Sequence, residues 1–310
     1  MRKIRILLLS LLFIQFLPAQ DNTFEFLRLH SSPRAEALAG NFITNTDDPS
    51  VMFYNPAGIF SLEKNPVSFS FLNYLADIKV LDAAFSTEFE GIGRFGVAIK
   101  YLNYGDFIKA DASGNKLGDF GVNDLALLVG YGYQLHENFN IGANAKFIYS
   151  KIDDASSTGL AVDLGAQYFI RETNWVIAFS VLNLGSQISE YYSVSEDLPL
   201  DIRLGVSKKL EHLPFKFYFS FIKLNKDVDN FGDRFKNFTF GGELFLGKAL
   251  TVRLGYDNQK REDLKIGTST GLAGYSLGVG LKVKEYKIDY AFSSHGSVPS
   301  VHRFGIVTAF

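Results

Sequence analysis

From Val67 to Phe310 the chain keeps a two-residue rhythm, apolar then polar, in one run after another, and few folds accept such a pattern over that length. In Phe215-Lys-Phe-Tyr-Phe-Ser-Phe221, the residues Phe215, Phe217, Phe219 and Phe221 share one face of a strand, and Lys216, Tyr218 and Ser220 the other. Leu250, Val252, Leu254 and Tyr256 oppose Thr251, Arg253, Gly255 and Asp257 in the same way. Tyr286, Ile288, Tyr290 and Phe292 oppose Lys287, Asp289, Ala291 and Ser293, and Phe238, Phe240 and Leu244 oppose Asn237, Thr239 and Glu243. Each predicted strand has a fatty face and a charged one. A soluble sandwich also alternates, but with its apolar face inward and with strands that are usually shorter.

The loops separate the two cases. Followed from turn to turn, the pattern gives fourteen strands, an even number. The even-to-odd connections include His136-Glu137, Glu211-His212, Gly247-Lys248 and Lys284-Glu285, all tight. The odd-to-even connections include Tyr104 to Gly118, Ser186 to Leu198, Lys226 to Arg234 and Asn258 to Ile266, all longer. Short turns on one rim and longer loops on the other are the usual asymmetry of outer-membrane barrels, and a sandwich has no reason to keep it. The charges agree. Lys or Arg facing lipid at mid-bilayer costs about 2–4 kcal/mol, and Lys216, Arg253 and Lys287 all fall on the non-aromatic face.

Composition fits this reading, with 30 Phe and 15 Tyr against the single Trp175, common glycine, and proline scarce after residue 66. No run after the first residues offers the ~18 apolar residues of a membrane helix, so a membrane location requires a closed barrel. Residues 1–19 read as a signal peptide, with Arg2, Lys3 and Arg5 before the apolar run Ile6 to Leu17 and a cleavage site at Leu17-Pro18-Ala19. The sequence contains no cysteine, which excludes a lipidated cysteine, disulfides and thiolate metal sites. A net charge of -2 with no basic cluster beyond the first residues argues against nucleic acid as a partner.

The segment Pro33 to Leu62 breaks the rhythm. Pro33 can open a helical turn through Leu38 with Gly40-Asn41 as its stop, and Asp47-Asp48 precede Pro49 as a cap precedes a second turn. Asn55-Pro56-Ala57-Gly58 predicts a non-helical bend, with Asn55 bonding the bent backbone and Gly58 free to take positive φ. The expected organisation is a signal peptide (1–19), an N-terminal plug segment (20–66) and an outer-membrane barrel (67–310). The fold class is all-β, a transmembrane antiparallel β-barrel of about 14 strands with a short helical plug. A capping segment outside a soluble sheet is the alternative.

Asp47-Asp48-Pro49-Ser50 leading to Asn55-Pro56-Ala57-Gly58 resembles the N-terminal signature of FadL-type outer-membrane barrels. Phe26-Leu27, then Ser32, Arg34, Ala37-Leu38 and Gly40, resemble the PorV/PorQ branch of that superfamily, and the short chain is more similar to the PorQ group than to the longer PorV one. The motif-bearing match spans about a tenth of the chain. It implies a component of the type IX secretion system that holds an attachment complex of PorZ, the sortase PorU and PorV at the cell surface. Membership of the wider superfamily implies instead a channel for hydrophobic small molecules. Arg303, Gly305 and Phe310 in the last strand resemble the C-terminal insertion signal of such barrels, with Thr308 departing from it. The loop Ser186 to Leu198 carries Tyr191 and Tyr192 with Ile188 and Val194, groups suited to a partner surface.

Two strings imitate catalytic motifs. Gly91-Ile-Gly93-Arg-Phe-Gly96 spells a dinucleotide fingerprint but is followed by the strand pattern Val97 to Leu102 where a helix is required. Gly267-Thr-Ser269-Thr-Gly271 spells a nucleophile elbow, again with a strand pattern, Leu272 to Val283, where a helix should follow. His30, His136, His212, His295 and His302 are scattered, and Phe231 spoils the calcium-like spacing of Asp227, Asp229 and Asp233. No cofactor, metal or enzymatic activity is expected.

Overall fold

The computed structural model describes residues 22–74, 78–192, 194–226, 228, 230–264, 271–296 and 298–310. The expected signal peptide therefore lies outside the described residues, as do most of the Gly267–Gly271 string and both Asp227 and Asp229.

Fourteen antiparallel strands close into a barrel. They are β1 (Pro66–Asn73), β2 (Lys79–Phe89), β3 (Gly93–Ala110), β4 (Lys116–His136), β5 (Phe139–Ile152), β6 (Ala155–Ile170) and β7 (Trp175–Ser189). The second half has β8 (Asp201–Lys209), β9 (Phe215–Phe221), β10 (Phe238–Leu246), β11 (Leu250–Asp257), β12 (Tyr275–Val283), β13 (Tyr286–His295) and β14 (Val298–Ala309). Each pairs with its sequence neighbours, and β1 pairs with β14 from Pro66↔Ala309 to Asn73↔His302, so no sheet edge is left open.

The side chains sort as a bilayer demands. Phe69, Phe71, Leu81, Val97, Leu127, Leu160, Phe179, Leu254, Leu277, Ile288 and Phe304 stand exposed on the outer wall, while Ser70, Asp82, Lys100, Asn144, Asp163, Ser180, Glu243 and Arg303 are buried on the inner one. No described helix is long and apolar enough to cross a membrane. The wall crosses with strands.

Several loop boundaries differ from the sequence reading: β10 begins only at Phe238, past the loop expected over Lys226 to Arg234, and β12 only at Tyr275, past the one expected over Asn258 to Ile266. The expected loop Tyr104 to Gly118 is mostly strand, because β3 and β4 continue to Ala110 and Lys116 past a bulge between Asn103 and Asp106. Beyond the membrane both faces of this hairpin meet water, so nothing imposes the alternation by which the buried part was read. Similarly β7 runs to Ser189, and the loop before β8 is shorter than expected. Gly91-Ile-Gly93 forms the turn into β3, with positive φ at both glycines. It opens no helix.

Candidate functional site: the occupied lumen

The chain that precedes β1 lies inside the barrel and runs its height. At the outer rim the Thr23 amide donates to the Asp197 carbonyl at 3.0 Å, in the loop after β7. At the periplasmic rim Arg94 Nη1 donates to the Lys64 carbonyl at 2.7 Å, just before β1.

Local chemistry folds this segment as capped turns. Ser32 Oγ accepts from the Ala35 amide at 3.1 Å to start the helix Pro33–Ala37, which stops where Ala39 and Gly40 take left-handed φ of 53° and 79°. Asp48 caps a 3₁₀ turn at Pro49–Phe53 by accepting from the Ser50 amide at 2.9 Å. The expected non-helical bend at Asn55-Pro56-Ala57-Gly58 is instead the start of a second 3₁₀ turn, Pro56–Ser61. Pro56 sits at its first position with its missing N–H harmless, and Asn55 Oδ1 caps it through the Ala57 amide at 3.0 Å. Gly58 does not take positive φ. Its need is space, since a Cβ there would lie 2.6 Å from Val51 Cγ2 and 2.8 Å from the Asn45 carbonyl oxygen.

Asn55 also ties the plug to the wall. Its Nδ2 donates to the Ile43 carbonyl at 3.0 Å and to the Ala166 carbonyl on β6 at 3.1 Å. Gln167 Nε2 donates to the Ile43 and Asn45 carbonyls, and Asn144 Nδ2 to the Met52 carbonyl. Wall glycines let the backbones meet: a Cβ at Gly142 would lie 2.4 Å from Pro56 C, and one at Gly255 2.5 Å from Ala39 N.

Charge pins the middle. Arg34 grips Glu243 with Nε and Nη2, each at 2.8 Å, and reaches Asp47 at 2.7 Å with Nη1. Arg253 joins Glu243 at 2.7 Å to Asp289 at 2.5 Å, and Tyr218 hydroxyl donates to Glu243 as well. Opposite them, Glu36 faces Arg303 Nε at 3.6 Å and Lys260 Nζ at 3.9 Å. Burial works against its charge, but neighbouring cations hold the Glu36 pKa down to about 2. The adjoining His30 is the largest of these influences on Glu36, ahead of Lys260 and Arg303, and burial in turn pushes His30 down to about 3, so that at neutral pH its ring is uncharged. Lys146 with Asp163 and Lys100 with Asp82 complete the buried pairs named here. One small cavity bounded by Tyr54, Lys146 and Arg203 measures about 10 Å³, near the least that admits a single water.

Nearer the outer rim the lining turns apolar. Leu72, Val80, Leu102, Ile148, Leu182 and Leu198 are buried, and all of them but Leu182 belong to one apolar cluster with the plug rings Phe24 and Phe26. Sequence periodicity does not reveal these residues, because each but Leu198, which lies in the loop before β8, occupies an ordinary inward position of its strand.

Of the remaining expected residues, Arg303 points inward and is fully buried, bonding Ser70 on β1 at 3.0 Å and Asp82 on β2 at 2.7 Å. Gly305 lies against the plug, where a Cβ would come 2.8 Å from Pro33 Cδ, and Phe310 is exposed at the chain's end. In the loop after β7, Tyr192 is 82% exposed while Tyr191 is half-buried near Asp124 and Ser150. Among the described residues no cluster of His, Asp and Glu could hold a metal.

Solved structures share this architecture. The Pseudomonas putida toluene transporter TodX superposes with a TM-score of 0.59 at 11% identity, over 90% of this chain and 98% of that one. A Pseudomonas aeruginosa FadL homologue gives 0.56 at 11% identity, over 90% and 98% of the two chains. The monoaromatic hydrocarbon channel CymD gives 0.55 at 11% identity, over 90% and 97%. No family model and no curated protein matches the sequence. At such identity the likeness is one of fold: a FadL-like barrel of the outer membrane.

Proposed function

We infer that the barrel conducts hydrophobic small molecules across the outer membrane and that the segment through its lumen is the stopper. The apolar cluster that the inner wall forms with Phe24 and Phe26 supports this reading, since barrel interiors are ordinarily polar. A solute that displaced the Phe24 ring would meet Ile148, which lies beside it over Gly159. The hydrocarbon channels among its structural neighbours favour the same reading. Reconstitution into liposomes tests it. A monoaromatic hydrocarbon should enter faster than into protein-free liposomes, and Phe24→Ala with Phe26→Ala should change that rate. Entry equal to that of protein-free liposomes for both chains would refute it.

A second reading has its own observation. The resemblance of Phe26-Leu27, Ser32, Arg34, Ala37-Leu38 and Gly40 to the PorV/PorQ branch implies a PorQ-like component of the type IX secretion system that seats PorZ, beside PorU and PorV, at the surface. Ile188, Tyr192 and Val194 stand exposed at the outer rim, as such a seat requires. If this reading holds, Tyr191→Ser with Tyr192→Ser releases a surface protein into the medium while the barrel still inserts. The structural neighbours give it less support than the conduit.

A further inference from the structure

On the outer wall of β9 to β12 the lipid-facing rings form a connected column. Phe221 contacts Phe219 with ring centres 4.9 Å apart, Phe219 stacks on Phe238 at 6.0 Å, Phe238 meets Tyr256 at 6.1 Å, and Tyr256 meets Tyr275 at 5.1 Å. The column does not stop where the strands stop. In the loop after β9, the 3₁₀ turn Phe231–Lys236 sets Phe235 against Phe221 at 5.1 Å and Phe231 against Phe235 at 5.5 Å. Since Phe221 belongs to the outward face of its strand, opposite buried Ser220, this turn hangs over the lipid side of the rim and not over the lumen. Phe231 is nonetheless 72% exposed. A phenyl ring this open at the end of a lipid-facing column has a natural cover only if lipid reaches it.

Cations accompany the rings. The Arg234 guanidinium lies 5.8 Å from the Phe231 ring centre and the Arg261 guanidinium 5.7 Å from that of Tyr275. Asn258 Nδ2 donates to the Lys236 carbonyl at 2.9 Å, tying the short helix Asn258–Asp263 that bears Arg261 to the turn. Among the described residues, the acids of the turn and the helix are Asp233, which pairs with Lys236 at 2.6 Å, Glu262 and Asp263. Rings below and guanidinium groups above are the arrangement of an interfacial membrane contact.

We propose that the turn Phe231–Lys236 lies in the headgroup layer of the outer leaflet, Phe231 and Phe235 among the upper acyl carbons and Arg234 with Arg261 against the phosphates of an anionic lipid. The contact is independent of what the lumen conducts. The test places an indole on the turn with Phe231→Trp in a Trp175→Phe background, so that no other tryptophan emits. In phosphatidylcholine vesicles carrying brominated chains, its emission should be blue-shifted and quenched more by bromine just under the headgroup than by bromine at the chain end. Adding diphosphorylated lipid A should shift the emission further, and Arg234→Gln or Arg261→Gln should move the midpoint of that titration by about fivefold each, the factor for one cation at an anionic lipid surface. Phe235→Trp gives the same reading if Phe231→Trp disturbs assembly. Water-like emission that neither bromolipid quenches would overturn the proposal, and so would a lipid A midpoint unchanged in both arginine variants.

Discussion

Arg34 in the plug and Glu243 on β10 form a two-pronged ion pair, Nε to Oε1 and Nη2 to Oε2, both at 2.8 Å and both shut away from water. Such a pair is weak as a source of net stability but costly to halve, because the surviving charge stays buried. Arg34→Met should therefore lower the stability of the docked plug by about 3–5 kcal/mol, and Glu243→Gln should act in the same direction by leaving Arg34 and Arg253 to share a neutral partner. The double variant Arg34→Met with Glu243→Met should lose less than the two single losses added together. Proteolysis of the plug in the detergent-solubilised protein, followed beside the barrel's heat-dependent gel shift, reads the two effects separately.

Asn55 satisfies both ends of one amide, capping the turn at Ala57 and bonding carbonyls of the plug and of β6. Asn55→Ala should loosen the plug by about 1–3 kcal/mol, the cost of leaving buried polar groups unpaired. Hydrogen exchange at residues 43–62 should speed up while the strand amides keep their protection. Unchanged exchange there would remove Asn55 from the docking interface.

Much of the fold can be read in the sequence because lipid, unlike water, punishes every wrong face. Phe215 to Phe221 alternate without error, and the strand count and the short rim follow from that rhythm. The lumen is another matter. Arg34 and Glu243 stand 209 residues apart, and nothing local to either marks it as the other's partner. Gly58 reads as a site of backbone freedom, yet what it supplies is room for Val51. Arg303 reads as a polar position in an insertion signal, while in space it staples β14 to β1 and β2 through Ser70 and Asp82.

Gly142 offers a steric test of the seating. A Cβ on it would press within 2.4 Å of Pro56 C, a backbone atom that cannot swing aside, whereas the nearest atom to a Cβ at Gly121 is 3.8 Å away. Gly142→Ala should shift the plug at a cost of about 1–3 kcal/mol, and Gly121→Ala should leave it in place. Protease sensitivity of residues 49–62 in the two variants separates them.

Acid should release the plug from one side. The pKa of Glu36 falls from an ordinary 4.5 to about 2 on docking, so its contribution is complete above pH 4.5 and is lost as pH drops toward 2. Buried neutral His30, whose pKa falls from an ordinary 6.5 to about 3 on docking, acts in the same direction, so plug protection should begin to decline as pH drops below about 6.5, and Glu36 should deepen the decline below about pH 4.5. In Glu36→Gln the decline in that window should be shallower. Wild-type protection that stays flat between pH 7 and 5 would contradict the assignment of His30 as buried and neutral.

That one segment fills the lumen from the Asp197 loop to the start of β1 is tested most directly by ionic conductance of the intact chain in a planar bilayer. A lumen occupied by paired charges and capped turns should give no stable open step, and Gly142→Ala or Arg34→Met should give frequent ones. A persistent, porin-sized conductance from the unaltered protein would show an open pore and contradict the account.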